Sequence, residues 1–228
     1  MSIASHELKT PLTSLKLQTQ SMRRSFERGK AEAFSPENVG KMVINNEKQV
    51  GRLIRLVDDM LDFSKIESGK LSMNREWADV GEIVREVYEQ LEEQLNVTGC
   101  QSRLIDGPPI FASVDRFRIE QVVTNLLTNA SRYGKGRPVV VKTETIGNKV
   151  VVSVSDQGMG IAPGNLERVF NRFERAVSAN EISGLGLGLY ISREIILAHQ
   201  GRIWVQSDLG VGSTFFFELP AQDSLPLS

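Results

Sequence analysis

The chain has 228 residues, a formal net charge of −1 and one cysteine, Cys100. The balanced charge excludes nucleic-acid binding by bulk electrostatics. The lone cysteine excludes an intramolecular disulfide or a cysteine zinc cluster and suits a reducing, cytoplasmic setting. Hydrophobic residues make up 40% and charged residues 24%, as in a globular chain with room for one large or two small domains. No apolar run approaches the roughly 18 residues that span a bilayer, and no signal peptide is visible.

Residues 1 to about 28 are predicted to form one amphipathic helix. At about 100° per residue, Leu8, Leu12, Leu15, Met22 and Phe26 share a narrow face with the spacing of a packed seam. His6, one of two histidines, falls roughly opposite. Glu7 flanks it, and Thr10 follows one turn along the outer face. A neutral imidazole near pH 7 is a competent nucleophile or base; alone, it reads as well as a solvated surface histidine. Pro11 predicts a kink just after it. Starting so close to His6, inside a helical pattern, the chain reads as a piece of something longer, whose remainder is open to membrane anchoring.

Ser35-Pro36-Glu37 predicts a second helix start. The stripe Val43, Val50, Leu53, Val57 and Met60, widened by Ile54 and Leu61, runs toward Ser68, and Gly69 is a natural stop. Two long helices and a short loop make an antiparallel hairpin. Its apolar stripe is broad enough to predict a four-helix bundle from two copies, or packing on the rest of the same chain. Residues 1–68 are thus a helical hairpin, 69–75 a linker, 76–221 a second domain and 222–228 a tail.

In the second domain Asp79 and Glu82 form an acidic capping box for a helix to about Leu95. Short strands are predicted near 101–106 and 110–114. Asp115 caps a helix to Tyr133, and Val139–Thr145 with Val150–Ser155 form a hairpin on a glycine turn. A short helix over 163–173, a polar glycine-rich loop over 174–186, a helix over 187–200 and two closing strands complete an α+β sandwich.

Four elements of that sandwich carry candidate chemistry. Asn125 and Asn129, four apart on one helix face, offer neutral oxygens suited to Mg²⁺; they serve equally well as surface asparagines. Arg132 follows, placed to meet a phosphate, and then Tyr133. Asp156, at a strand end before Gly158 and Gly160, offers an acceptor that would select adenine over guanine, the glycines letting backbone approach the base; the motif alone is also an ordinary turn. Phe170 and Phe173 read as core anchors, with Arg175 able to reach a terminal phosphate. Gly184, Gly186, Leu187 and Gly188 run into a helix whose amides and dipole favour phosphate. Neither a Walker loop nor a dinucleotide fingerprint fits the context.

Taken in order, these motifs resemble the transmitter region of two-component sensor histidine kinases. Ser5–Leu12 resembles the H box and Asn125–Tyr133 the N box. Asp156–Gly160 is similar to the first glycine box, Phe170–Phe173 to the F box and Gly184–Leu189 to the second glycine box. Gly210–Thr214 resembles the last glycine motif. The resemblance implies a dimeric histidine-bearing hairpin and a Bergerat-type ATP-binding sandwich like that of gyrase, the heat-shock chaperone and MutL. It also implies ATP and Mg²⁺ as ligands and autophosphorylation of His6 at Nε2, with Glu7 taking the other ring proton. The phosphoryl group then passes to an aspartate of a response-regulator receiver domain, and Thr10 matches the position linked to dephosphorylating that regulator. Thr214 and the glycines fall among the implied nucleotide contacts. Three other readings stay open: a transmitter acting mainly as phosphatase, an ATP-binding scaffold, and a plain ATPase. Against the last, Asn125 stands where those ATPases have a glutamate base.

Overall fold

The computed structural model describes residues 3–97, 99–134, 136–174 and 184–221. These fall into two compact units. The first holds the helices up to Glu67 together with Gly184 and Leu185; the second runs from Ser68 to Glu174 and from Gly186 to Ala221.

In the first unit α1 (Ile3–Glu27) and α2 (Pro36–Glu67) form the hairpin, joined through a 3₁₀ turn at Ala31–Phe34. The Ser35 hydroxyl accepts the Asn38 amide and caps α2. Helix α1 continues through Pro11 as one element, as predicted. The ring is buried, and the only intrahelical donor it deletes is the amide that would serve the Glu7 carbonyl. Within one chain the predicted seam is covered only in part: Leu8, Leu15 and Met22 are half-buried and Leu12 and Phe26 exposed, while Glu7 and Pro11 are buried, with Ser14 and Gln18 half-buried. The face that α1 turns inward within one chain therefore carries polar groups. Leu12, Leu17 and Phe26 of α1, with Val43, Ile44, Val50, Ile54, Val57 and Leu61 of α2, remain exposed.

The second unit is a two-layer sandwich. Its sheet runs β2-β4-β5-β7-β6, with β2 (Ser102–Ile105) parallel to β4 (Val139–Ile146) and every other neighbour antiparallel. The remaining strands are β5 (Lys149–Asp156), β6 (Arg202–Asp208) and β7 (Gly212–Pro220), while β1 (Glu76–Asp79) pairs with β3 (Phe111–Val114) in a small separate ladder. Helices α3 (Val80–Val97), α4 (Arg116–Gly134) and α5 (Gly188–Ala198) lie side by side over one sheet face. Alternation on the strands puts Val139, Val141, Val152, Val154, Phe215, Phe217 and Leu219 beneath them. Ile83, Ile119, Leu126, Leu127, Ile195 and Ile196 descend from the helices, fully buried. Each such side chain contributes about 1.5–3 kcal/mol by burial.

Caps fix where these helices begin. Asp79 Oδ1 accepts the Gly81 amide and the Ile110 amide, both at 2.9 Å, and Asp115 Oδ1 accepts the Arg118 amide. The other Asp115 oxygen accepts the Asn74 amide at 2.7 Å. His199, at the end of α5, accepts the Asp115 amide on Nε2 and donates from Nδ1 to the Ile195 carbonyl. Cys100 is 1% exposed and its amide donates to the Leu95 carbonyl. The helix predicted over 163–173 is two 3₁₀ turns, Pro163–Asn165 and Arg168–Phe170; Pro163 and Gly164 leave too few residues for an α-helical nucleus. Among the described residues no helix is long and apolar enough to cross a membrane.

Candidate nucleotide site and phospho-acceptor helix

On α1, His6 is exposed, and its carbonyl accepts the Thr10 hydroxyl at 3.1 Å. Thr10 is also exposed, as its helical position requires. Glu7 is not on that outer face. One residue along a helix rotates a side chain by about 100°, and Glu7 turns inward to 7% exposure. Its Oε2 accepts Arg52 Nη2 of α2 at 2.9 Å and the Gly184 amide at 3.2 Å. Reading α1 alone could not reveal Arg52, which lies 45 residues away in the chain.

In the sandwich, four elements converge. Asn125 and Asn129 meet as their spacing predicted: Asn129 Nδ2 donates to Asn125 Oδ1 at 3.3 Å. Asn125 Nδ2 in turn donates to Ser192 Oγ on α5 at 2.9 Å. Ser192 is buried and carried no signal in the sequence. Asn125 is thus braced on both sides, which leaves the Asn129 carbonyl oxygen as the acceptor open to a metal. A neutral oxygen of this kind fits Mg²⁺, which keeps waters and takes its remaining ligands from phosphates. Among the described residues no cluster of acidic, histidine or cysteine side chains offers a competing site.

Asp156 ends β5 with its side chain buried. It accepts the Gly158 amide at 2.8 Å and the Ser213 backbone amide. Burial pushes its carboxyl above the usual range, and those two amides pull it part of the way back. The neighbouring Thr214 hydroxyl lies 2.9 Å from that of Ser155. The glycines here are also required by contacts within the protein. A Cβ on Gly158 would stand 2.2 Å from the Tyr133 carbonyl oxygen, so only glycine lets α4 and the strand end meet. A Cβ on Gly188 would stand 2.4 Å from Asn125 Oδ1. Gly160 and Gly186 have positive φ, at 67° and 68°.

Gly188 opens α5, which has no side-chain cap. Its first amides, behind Gly186 and Leu187, are the donors that a phosphate would use. Arg132 is exposed and Tyr133 half-buried. Of the two phenylalanines, only Phe170 is a core anchor, packed edge-on to Phe215. Phe173 is 37% exposed and sits at φ 62°, its amide bonded to the Gly186 carbonyl. A non-glycine residue there stores on the order of 1–3 kcal/mol of strain. Beside it, Arg168 grips Glu174 through both carboxylate oxygens. Arg175 and most of the loop predicted over 174–186 lie outside the described residues.

Two family models match the chain. Residues 1–69 match the His Kinase A (phospho-acceptor) domain, and residues 114–223 match the histidine kinase-, DNA gyrase B- and HSP90-like ATPases. The chain belongs to the sensor histidine kinases. The sensor protein kinase WalK of Staphylococcus haemolyticus is 33% identical to it over 96% of the chain and 36% of its own length. The histidine kinase AdeS of Acinetobacter baumannii superposes with a TM-score of 0.71 at 27% identity, covering 96% of this chain and 98% of its own. The histidine kinase ThkA, solved in complex with the response regulator protein TrrA, superposes with a TM-score of 0.65 at 26% identity, covering 96% and 60%. The kinase chain described here thus spans about a third of the length of that WalK relative.

Proposed function

We propose that this chain is an ATP-dependent protein-histidine kinase that phosphorylates its own His6 and passes the phosphoryl group to an aspartate of a response regulator. The observation that carries the proposal is the pairing, in one chain, of an exposed histidine on a phospho-acceptor hairpin with an ATPase sandwich whose helix α4 presents Asn125, not a carboxylate. A glutamate there would activate water; a neutral amide favours transfer to a protein nucleophile.

ATP would bind with its adenine amino group on Asp156 beside Gly158, Gly160 and Thr214, and its phosphates over the first amides of α5 after Gly184, Gly186 and Leu187. Asn129, supported by Asn125, would hold Mg²⁺, which neutralises phosphate charge when bound. Arg132, Tyr133 and Arg175 complete the nucleotide contacts. His6 Nε2 attacks the γ-phosphorus; the new N–P bond forms as the bond to the β,γ-bridging oxygen breaks and ADP leaves with that electron pair. Glu7 takes the proton from Nδ1. Catalysis is chiefly positioning and charge neutralisation.

The exposed apolar stripe on α1 and α2 supports a homodimer through a four-helix bundle. The solved ThkA complex supports a response regulator as the second partner. Thr10, exposed one turn from His6, supports a regulator-phosphatase activity in the same hairpin. A cytoplasmic setting for this region, and division of labour between a hairpin to residue 68 and a catalytic domain from residue 76, follow from the same reading.

The test is incubation with γ-labelled ATP, followed by treatment of the labelled protein with acid and base. Label that acid removes and base retains is expected on the wild-type chain and absent from His6→Gln, with ATP affinity unchanged. Acid-labile label on the variant would overturn the assignment.

A further inference from the structure

Glu7 and Arg52 present a feature that the phosphotransfer reading leaves unused. The glutamate beside an exposed histidine is itself buried, and a buried carboxylate is stable only where its charge is answered. Arg52 answers it from the other helix of the hairpin, with Nη2 at 2.9 Å from Oε2. The guanidinium is itself three-quarters shielded, and its Nε is buried with no hydrogen-bond partner. An arginine that leaves one donor unsatisfied while committing another to a single carboxylate oxygen is placed for that carboxylate. It is not a surface charge in passing contact. Neighbouring side chains on a helix do not face each other, so the position of Glu7 relative to the His6 ring depends on what holds Glu7 from outside α1.

We propose that Arg52 is a positioning residue for phosphorylation of His6: its guanidinium fixes the Glu7 carboxylate in the seam between α1 and α2, one residue from the nucleophile, as an oriented anion. This rests on the reading of Glu7 as the group that takes the Nδ1 proton while Nε2 bonds to phosphorus and ADP departs. Without Arg52, the carboxylate loses the cation paired with it here and is held more weakly, the Gly184 amide at 3.2 Å remaining. The carboxylate is then free to turn toward water, and its orientation relative to the neighbouring His6 is no longer fixed. Arg52 itself is not among the residues proposed to bind ATP, although Glu7 Oε2 accepts the Gly184 amide.

The experiment measures the initial rate of His6 labelling against ATP concentration for the wild type, Arg52→Gln, Arg52→Lys, Glu7→Gln and the double variant Glu7→Gln/Arg52→Gln. Helicity and thermal melting are checked for each. Arg52→Gln is expected to lower the maximal rate by about tenfold, a part of the hundredfold or more that a general base supplies, with the KM for ATP unchanged. Arg52→Lys should recover part of the rate, because it restores the charge without the planar fork. In the Glu7→Gln background, removing Arg52 should cost nothing further. A full tenfold loss in that background would show that Arg52 acts on the fold and would overturn the proposal, as would a wild-type rate for Arg52→Gln. The two readings separate cleanly. Glu7→Gln at the wild-type rate sinks the proton-acceptor assignment and Arg52 with it, whereas a slow Glu7→Gln beside a normal Arg52→Gln sinks Arg52 alone.

Discussion

The hairpin and the sandwich solve the problem of burial in opposite ways. The sandwich closes a core within one chain: valines of β4 and β5 and phenylalanines of β7 meet isoleucines and leucines of three helices, many at or near zero exposure. In the hairpin, apart from Pro11, Leu56 is the one buried apolar residue among those described, while Leu12, Phe26, Val43, Ile44, Val50, Ile54, Val57 and Leu61 stay exposed. Two helices can cover each other along only one narrow strip each. Here that strip holds the Glu7–Arg52 ion pair and polar residues beside Pro11, Leu56 and a few half-buried apolar side chains. The apolar surface is thereby left for contacts that a single hairpin cannot make: the sandwich has a core of its own, and in the proposed dimer the hairpin would owe much of its stability to association.

The sharpest way to break this comparison is a charge on the exposed stripe. Ile54 is 56% exposed in the single chain, so Ile54→Glu should leave the isolated hairpin's contacts alone and act only on the dimer. Burying an unpaired carboxylate costs several kcal/mol, enough to weaken dimerisation by about 100-fold or more. Light scattering across a dilution series should then show monomers, and calorimetric titration should show unchanged ATP affinity. A wild-type dimer in the variant would remove Ile54 from the interface.

The second way strikes the sandwich alone. Gly158→Ala drives a methyl group to 2.2 Å from the Tyr133 carbonyl oxygen, and backbone must move to relieve it. A loss of about 3 kcal/mol is expected, at the upper end of overpacking costs. Thermal melting followed by near-UV circular dichroism should show the sandwich transition falling while the dimer persists. A single shared transition for both units would contradict their independence.

Much of the sandwich site was legible because its signals are local. The Asn125–Asn129 pair follows from helical period, and Asp79 and Asp115 announce the helices they cap. Asp156 falls at the end of a β-branched run. The hairpin was read less well, and for a physical reason. Helical periodicity says which residues share a face, not whether that face meets the same chain or another. The stripe through Leu8, Leu12, Leu15, Met22 and Phe26 was recognised, but Glu7 and Pro11 occupy the inward position that a hydrophobicity pattern assigns to leucines. Phe173 misled in a similar way: an aromatic in an apolar motif reads as core, yet its left-handed backbone turns it to the surface.

The smallest effect expected concerns pH. Burial lowers the His199 imidazole below its ordinary range, with Arg75 acting in the same direction and the Ile195 carbonyl and Asp115 opposing. The folded chain then binds this proton less readily than the unfolded chain. His199 therefore contributes stability that is complete above the unfolded value of about 6.5 and is lost as pH falls from there toward the depressed folded value. Melting curves at pH 7.5 and 5.5 should differ by on the order of 1 kcal/mol more in the wild type than in His199→Gln. An identical pH dependence would mean that burial, with the Asp115 amide on Nε2, does not hold the ring neutral.

Cys100 gives the comparison a clock. It is the one thiol in the chain, it is shut inside the sandwich, and none stands on the hairpin. A disulfide reagent can therefore reach sulfur only when the sandwich opens, and helix fraying elsewhere is invisible to it. Under native conditions the labelling rate equals the intrinsic thiolate rate multiplied by the population of that opening. Nucleotide, by closing the sandwich, should slow the reaction, and the ratio of rates with and without ATP reads the energy that the ligand adds to one half of the molecule while the other half stays silent.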